Sequence, residues 1–210
     1  MINQVFRQMI QKHHYPILAV QILSLAGFSW WFLRLQNYEF LLYVGVILFF
    51  LILIIATIDQ TRFSNTVLWG LTLWALMHMA GGGIPVGDGR LYDLILWPIS
   101  EDYPIFRYDQ LVHIVGFGVA TLAMYELLKP LLKPLKGWTA LSIVVVMAGL
   151  GVGALNEILE FSATVLVPET GVGGYVNTSL DLVADLVGAV VALVWIRWRA
   201  QDNPSAAGNG

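Results

Sequence analysis

Cysteine is absent from this chain of 210 residues, which excludes disulfides, thiolate metal sites and cysteine nucleophiles. Charge is also scarce: charged residues make up 12% of the chain, and the formal net charge is −3. Lysine and arginine do not cluster with aromatic residues, so we expect no nucleic-acid partner. The first residues lack the pattern of a cleaved signal peptide, and we expect the first apolar segment to be retained. The available chemistry rests on carboxylates, imidazoles, amides and hydroxyls.

Hydrophobic residues, in contrast, are abundant. They form 58% of the chain, and the mean hydropathy of +0.72 lies above the usual balance of a soluble domain. Six apolar segments have about the length that crosses the hydrocarbon core of a bilayer, roughly 20 residues. They are Pro16–Leu33, Tyr38–Ile58, Thr66–Ala80, Asp109–Leu128, Trp138–Phe161 and Leu180–Trp198. We predict an all-α polytopic membrane protein, a six-transmembrane-helix bundle forming a single domain over residues 1–200.

The two ends of the chain have their own patterns. Apolar residues recur at helical spacing over residues 2–10, opposite Arg7 and Lys12, which predicts an interfacial N-terminal helix. Residues 201–210 are small and polar, which is typical of a disordered tail.

The basic residues indicate the orientation in the membrane. In a six-span arrangement one side holds Arg7, Lys12, Arg62, Lys129, Lys133, Lys136, Arg197 and Arg199, and the other holds Arg34, Arg90 and Arg107. Because cytoplasmic loops are enriched in Lys and Arg, this division predicts that both termini are cytoplasmic.

Two connections on the predicted outer side are unusual. The first, Gly81–Arg107, contains three consecutive glycines and an apolar run from Leu91 to Trp97; it is either a lid on the membrane surface or an ordinary interfacial helix. The second, Ser162–Ser179, is rich in glycine, so its backbone amides could approach an anion. Glycines at such positions more often only make turns.

Ionisable residues from four predicted helices converge in the outer leaflet. They are His78, Asp109, His113, Glu157, Glu160, Asp181 and Asp185. Three pairs within this set are spaced three or four residues apart, so each pair shares one helix face. Since ionisable groups at membrane depth normally face the bundle interior or a wet cavity, we predict one polar site.

The carboxylates of this site require neutralisation, because their mutual repulsion is strong when all are ionised. Protons, a divalent metal, Arg90 or Arg107, or a cationic ligand would serve. Carboxylate and imidazole ligands without thiolate suit zinc, manganese, iron or magnesium. Purely structural explanations remain open for three residues. Asp109 and Asp181 could be first-turn aspartates favoured by the helix dipole, and His78 could be a buried polar residue with its hydrogen bonds satisfied.

Small residues at four-residue spacing predict close helix packing around this site. The pairs are Gly149 with Gly153, Ala184 with Gly188, and Gly116 with Ala120. Such spacing lets two backbones approach.

Several motifs in order resemble the bacterial family of the inner membrane protein YjdF. They are Met77-His78-x-x-Gly81-Gly82, Arg107-Tyr108-Asp109-x-x-x-His113, Asn156-Glu157-x-x-Glu160-Phe161, Thr170-Gly171-x-Gly173-Gly174-Tyr175-x-Asn177-Thr178 and Asp181-x-x-x-Asp185-x-x-Gly188. The resemblance covers most of residues 60–198 and implies a multi-pass protein of the bacterial cytoplasmic (inner) membrane, with no activity attached. A weaker similarity is to the VanZ-like proteins, although Asp185 stands where the pattern of their last helix has asparagine.

Three functions compete. The first is a metal-dependent enzyme acting on a lipid or lipid-linked headgroup, with Asp109, His113, Glu157, Asp185 and Asp181 as metal ligands. In that hypothesis Glu160 and His78 are catalytic, and Arg90 and Arg107 bind an anionic headgroup. The second is a non-catalytic binder of a lipid or amphipathic antibiotic. The third, a proton- or cation-coupled transporter, is disfavoured because the inner halves of the helices hold few polar residues. The sequence does not indicate an oligomeric state.

Overall fold

The computed structural model describes residues 11–132 and 138–202, and six long helices dominate this part of the chain. They are α1 (Tyr15–Leu35), α2 (Tyr38–Thr61), α3 (Asn65–Gly83), α4 (Tyr108–Leu128), α5 (Thr139–Leu166) and α6 (Tyr175–Asp202). Each predicted span coincides with one helix, so the helical class is confirmed. The predicted interfacial helix falls on residues 1–10 and most of the predicted tail on 203–210, outside the described residues.

Five of the six helices, all except α3, are long and apolar enough to cross a membrane by length and composition. The multi-pass membrane class follows from these five. The crossing by α3, which has 19 residues, stays a prediction, as do the domain limits and the cytoplasmic termini.

Local capping explains how the first helices are joined. Gln36 ends α1 in the left-handed region, with φ of 52°, and the next residue, Asn37, accepts a hydrogen bond from the Phe40 amide at 3.1 Å. A left-handed C-cap followed at once by an Asn N-cap reverses the chain within two residues. As a result, α1 and α2 form a helical hairpin that brings the start of α2 to the end of the bundle where the predicted site lies.

The three consecutive glycines belong to α3 and do not open the connection as predicted. Their missing side chains make room for aromatic rings. A Cβ at Gly82 would overlap the Phe40 ring, and one at Gly81 would lie 2.6 Å from the Tyr92 ring. The two rings pack against the glycine backbone and stabilise it as a helix. As a result, α3 continues three residues beyond its predicted end.

Close contact between α4, α5 and α6 confirms the prediction from small-residue spacing. A Cβ at Gly188 of α6 would overlap the Ile114 carbonyl of α4, and one at Gly149 of α5 would overlap Thr121 of α4. The α4–α6 pair has the most extensive contact in the bundle. Glycine therefore sets the distance at which the polar faces of these three helices meet.

We expect Gly188→Ala to lower the free energy of unfolding, by about 1–3 kcal/mol, because backbone must move to admit the methyl group. The matched control is Gly151→Ala on α5, where an added Cβ meets nothing within 4 Å and where alanine favours the helix more than glycine does. Thermal unfolding of both variants in one detergent is the measurement. Equal melting temperatures for the two would contradict the packing account.

The connection from α3 to α4, which we call the lid (residues 84–107), contains one 3₁₀ turn, Leu91–Asp93, and no α-helix, so the prediction of an interfacial helix there is wrong. Strands β1 (Pro85–Val86) and β2 (Gly89–Arg90) form an antiparallel hairpin, in which Gly87 has a φ of +57°, as a two-residue hairpin turn requires. Farther along, the Leu96 amide donates to the Phe106 carbonyl at 3.0 Å. The lid therefore folds back upon itself beside the start of α4.

Candidate metal centre

His113 lies at the centre of the polar site, in the second turn of α4, and is 5% exposed. Its Nδ1 lies 2.8 Å from Oδ1 of Asp185 on α6, and its Nε2 lies 3.8 Å from Oδ1 of Asp109. A neutral imidazole that donates its Nδ1 proton to a carboxylate keeps a lone pair on Nε2. This is the arrangement by which metal-binding histidines are oriented.

Two groups of possible ligands share His113. The first is Asp109, His113 and Asp181, and the second is His113, Glu157 and Glu160; within each group, one ligand atom per residue lies within 4.8 Å of the others. The structure thus brings five of the predicted site residues together, from α4, α5 and α6. The chemistry of the donors, oxygen and imidazole nitrogen, fits zinc, manganese, iron or magnesium.

Asp181 is fully buried and is held by two amide side chains. Gln110 of α4 donates to its Oδ1 at 3.0 Å, and Asn177 of α6 donates to its Oδ2. Because α6 begins at Tyr175, Asp181 lies beyond the first turn, and its interpretation as a first-turn aspartate is wrong. Asp109, in contrast, does lie in the first turn of α4.

The two glutamates of α5 differ in their contacts. Glu160 accepts a hydrogen bond from Asn156, one turn before it, at 2.9 Å. In Glu157, Oε1 is buried and has no partner among the described residues. A buried carboxylate oxygen without a donor is costly, and a cation or a proton at this place would satisfy it.

Asp185 has a different position from the other carboxylates. It is fully buried, a Cβ at Gly153 of α5 would overlap its Oδ2, and it belongs to neither group of possible ligands. From the sequence we predicted that it is a metal ligand. Its contact with Nδ1 favours a positioning role instead, in which it holds the His113 ring.

We expect Asp185→Asn to weaken metal binding by about 10–100-fold, the usual effect of losing the partner of a metal-binding histidine. The asparagine keeps the volume above Gly153, so the fold should remain. Titration of metal-free protein with Zn²⁺ or Mn²⁺ measures the affinity, and circular dichroism checks the helices. Complete loss of binding would make Asp185 a ligand, and unchanged affinity would remove it from the site.

His78, predicted to be catalytic, lies among aromatic rings and outside both ligand groups. The ring centroids of Tyr43, Trp74 and Tyr92 are 5.3, 5.4 and 5.8 Å from that of His78. Burial raises the pKa of the Tyr92 phenol well above its usual range, so the phenol stays protonated. The Tyr92 oxygen lies 2.6 Å from His78 Nδ1; donation to Nδ1 leaves a neutral His78 with its proton on Nε2.

The two predicted headgroup-binding arginines have different surroundings. Arg90 of the lid forms an ion pair with Glu39 of α2, with 3.1 Å between Nη1 and Oε2. The same Glu39 oxygen accepts a hydrogen bond from the Gly171 amide of the α5–α6 connection at 2.8 Å. In Arg107, Nε is buried and has no partner among the described residues. Arg90 is thus engaged by the protein, whereas Arg107 keeps a buried N–H for another acceptor.

Sequence reasoning missed two residues of this arrangement. Glu39 is 4% exposed and contacts both the lid and the α5–α6 connection. In the sequence it stands at the start of an apolar segment, where an acidic residue is an ordinary first-turn feature. Gln110 carries no charge and follows no motif. The sequence feature that could have identified it is its position next to Asp109 and three residues before His113 on the same helix.

These observations define a class: an integral membrane protein with a bundle of apolar helices and a buried carboxylate–imidazole site at one end. Residues 16–202 match the family described as "Predicted membrane protein (DUF2238)", and the chain belongs to that family. YjdF-like proteins are the known group of this family, so the expected resemblance is confirmed at the family level; nothing in the match supports the VanZ-like similarity. No curated protein and no solved structure matches the chain.

Proposed function

We propose that this protein is a divalent-metal-dependent membrane enzyme that acts on a lipid or a lipid-linked anionic headgroup. The supporting observation is the pair of overlapping ligand groups that share His113, all within 4.8 Å inside each group. Asp109, Asp181 and Nε2 of His113 would hold the ion, with Glu157 completing its surroundings. A metal there would activate a water molecule or polarise a substrate oxygen.

The protein's own groups have separate roles in this proposal. Glu160, which shares a possible ligand group with His113 and Glu157, removes a proton from the attacking water, and its hydrogen bond from Asn156 fixes its direction. The proton that Glu160 takes up then passes to the leaving group, and His78, neutral and protonated on Nε2, donates a hydrogen bond to the negative charge that develops on the substrate. Arg107, whose buried Nε has no partner among the described residues, binds the anionic headgroup. Arg90 would assist it if the ion pair with Glu39 opens.

Metal content and lipid turnover test this proposal in sequence. Protein purified without chelators and without immobilised-metal chromatography should contain about one equivalent of zinc, manganese, iron or magnesium, the metals that suit these ligands. Lipid extracts from cells with and without the protein should then differ in one species. Metal without any lipid change would leave the non-catalytic binding function. Absence of stoichiometric metal would reject the enzyme.

Coupled transport has less support. At the opposite end of the bundle Glu126 accepts hydrogen bonds from the Ser64 amide at 2.8 Å and from its hydroxyl at 2.6 Å. These contacts satisfy the hydrogen-bond donors of Ser64 at the start of α3. They do not provide the second polar access route that a transporter needs.

The site is proposed to face the outside of the bacterial inner membrane, and the natural absence of cysteine makes this testable. Single cysteines at the exposed positions Glu101 and Glu169, on the site side, should react with an impermeant maleimide in spheroplasts. A cysteine at the exposed Gln60, beside the end of α2, should react only after lysis, because the basic residues favour a cytoplasmic location there. The reverse pattern would invert the topology.

A further inference from the structure

An apolar groove of about 430 Å³ runs between α2 and α5 below the polar site. Gly45, Val46 and Phe50 of α2 and Leu155 and Leu159 of α5 are among its lining residues. Both helices are long and apolar enough to cross a membrane, so hydrocarbon is the medium around this groove. A water-soluble ligand has no favourable partner along such walls.

One end of the groove adjoins residues of the polar site. Tyr43, Val46 and Phe50 follow one another at spacings of three and four residues, so they share one face of α2. On α5, Leu159 immediately precedes Glu160. Tyr43 belongs to the same buried apolar cluster as Ala163, and its ring centroid lies 5.3 Å from that of His78.

A buried hydroxyl without a partner lies one helical turn before the groove residue Val46. Tyr43 is 7% exposed, and its hydroxyl is buried without a partner among the described residues. A buried phenol normally has a hydrogen-bond partner. An acceptor at the top of the groove would supply it.

We infer that the groove binds one acyl chain of a bilayer lipid, which enters sideways between α2 and α5. The ester carbonyl at the top of the chain accepts the hydrogen bond from Tyr43, and the headgroup lies at the carboxylate–imidazole site. The substrate class is then an acyl-chain lipid and not a free headgroup. The headgroup part of this inference rests on the proposed function; the groove itself does not.

Gly45 provides the means of testing the groove. It is exposed, and a Cβ there meets nothing within 4 Å, so Gly45→Leu fills the groove without displacing another group. Gly151 of α5 is also exposed and equally open, but it does not line the groove. Gly151→Leu is therefore the matched control for helix stability and membrane insertion.

The probe is phosphatidylglycerol with a photoreactive diazirine in one acyl chain, incorporated with the purified protein into phosphatidylethanolamine vesicles. After illumination, peptide mass spectrometry should find the adducts concentrated on residues 42–50 and 155–159. Gly45→Leu should reduce these adducts by about tenfold or more, because the leucine occupies the space in which the chain gains its apolar contacts. Gly151→Leu should label as the wild type does.

Adducts spread evenly over the exposed faces of all helices, or equal labelling of the two leucine variants, would overturn the inference. The metal content of the same samples separates this outcome from failure of the proposed function. Groove labelling in protein without metal supports the lipid site and rejects the enzyme. Stoichiometric metal without groove labelling rejects the lipid site alone.

Discussion

Replacement of His113 by alanine is expected to remove the bound metal almost completely. His113 is the one residue common to both ligand groups, and its ring is already oriented by Asp185 at 2.8 Å. Loss of a residue that only orients a ligand costs about 10–100-fold in affinity, and loss of the ligand itself should cost more than that. Elemental analysis of protein purified without chelators measures the result.

The control for this variant is His14→Ala. His14 is also buried, at 8% exposure, but it precedes α1 and contacts Gln11, away from the site. It should keep the metal in full. Retention of metal by His113→Ala, or equal loss in both variants, would show that the ion is held elsewhere or adventitiously.

Replacement of Glu160 by glutamine is expected to keep the metal and abolish turnover. The amide preserves the size of the side chain and its contact with Asn156, but it cannot accept a proton. Removal of a general base typically slows a reaction by about 10²–10⁴-fold. The measurement compares lipid extracts from cells that express wild type or the variant, followed by turnover of the changed species by purified protein.

Glu101→Gln is the matched control, since Glu101 is an exposed carboxylate of the lid. Its turnover should equal that of the wild type. Loss of metal together with activity in Glu160→Gln would make Glu160 a ligand. Full activity in Glu160→Gln would assign the proton transfer to another group, of which Glu157 is the nearest by position.

The helices could be predicted because their signal is long and redundant: an apolar run of about 20 residues is hard to mistake. Their ends were less certain, because ends depend on tertiary contacts. The glycines after Met79 would normally break a helix, but Tyr92 and Phe40 pack where their side chains are missing. The rings that decide this boundary come from the lid and from α2, which local sequence does not reveal.

The grouping of site residues could also be predicted, because four-residue spacing places Asp109 with His113 and Asp181 with Asp185 on shared faces. Their individual roles could not. Spacing does not tell which imidazole nitrogen meets Asp185, and that contact separates a positioning carboxylate from the group around Asp181. The Glu39–Arg90 pair could not be predicted either, because its two residues are 51 positions apart in the chain and local spacing does not relate them.

From its length and its apolar run, the α3–α4 connection was expected to be either a lid or an interfacial helix; it is not an α-helix, and its role as a lid stays a prediction. Its hairpin had a signal in Val86-Gly87-Asp88-Gly89, where glycine suits the tight turn. The apolar run that follows suggested a helix instead. In the structure several of these side chains are exposed, Trp97 at 69%, which is consistent with contact with the membrane interface.

Glu39 has a consequence for the order in which the molecule is assembled. It is synthesised early, yet its two partners follow 51 and 132 residues later. Until both partners have been synthesised, this carboxylate at the start of an apolar helix lacks its final contacts. A chain halted before Gly171 would therefore lack the contact through which Glu39 joins the α5–α6 connection to α2.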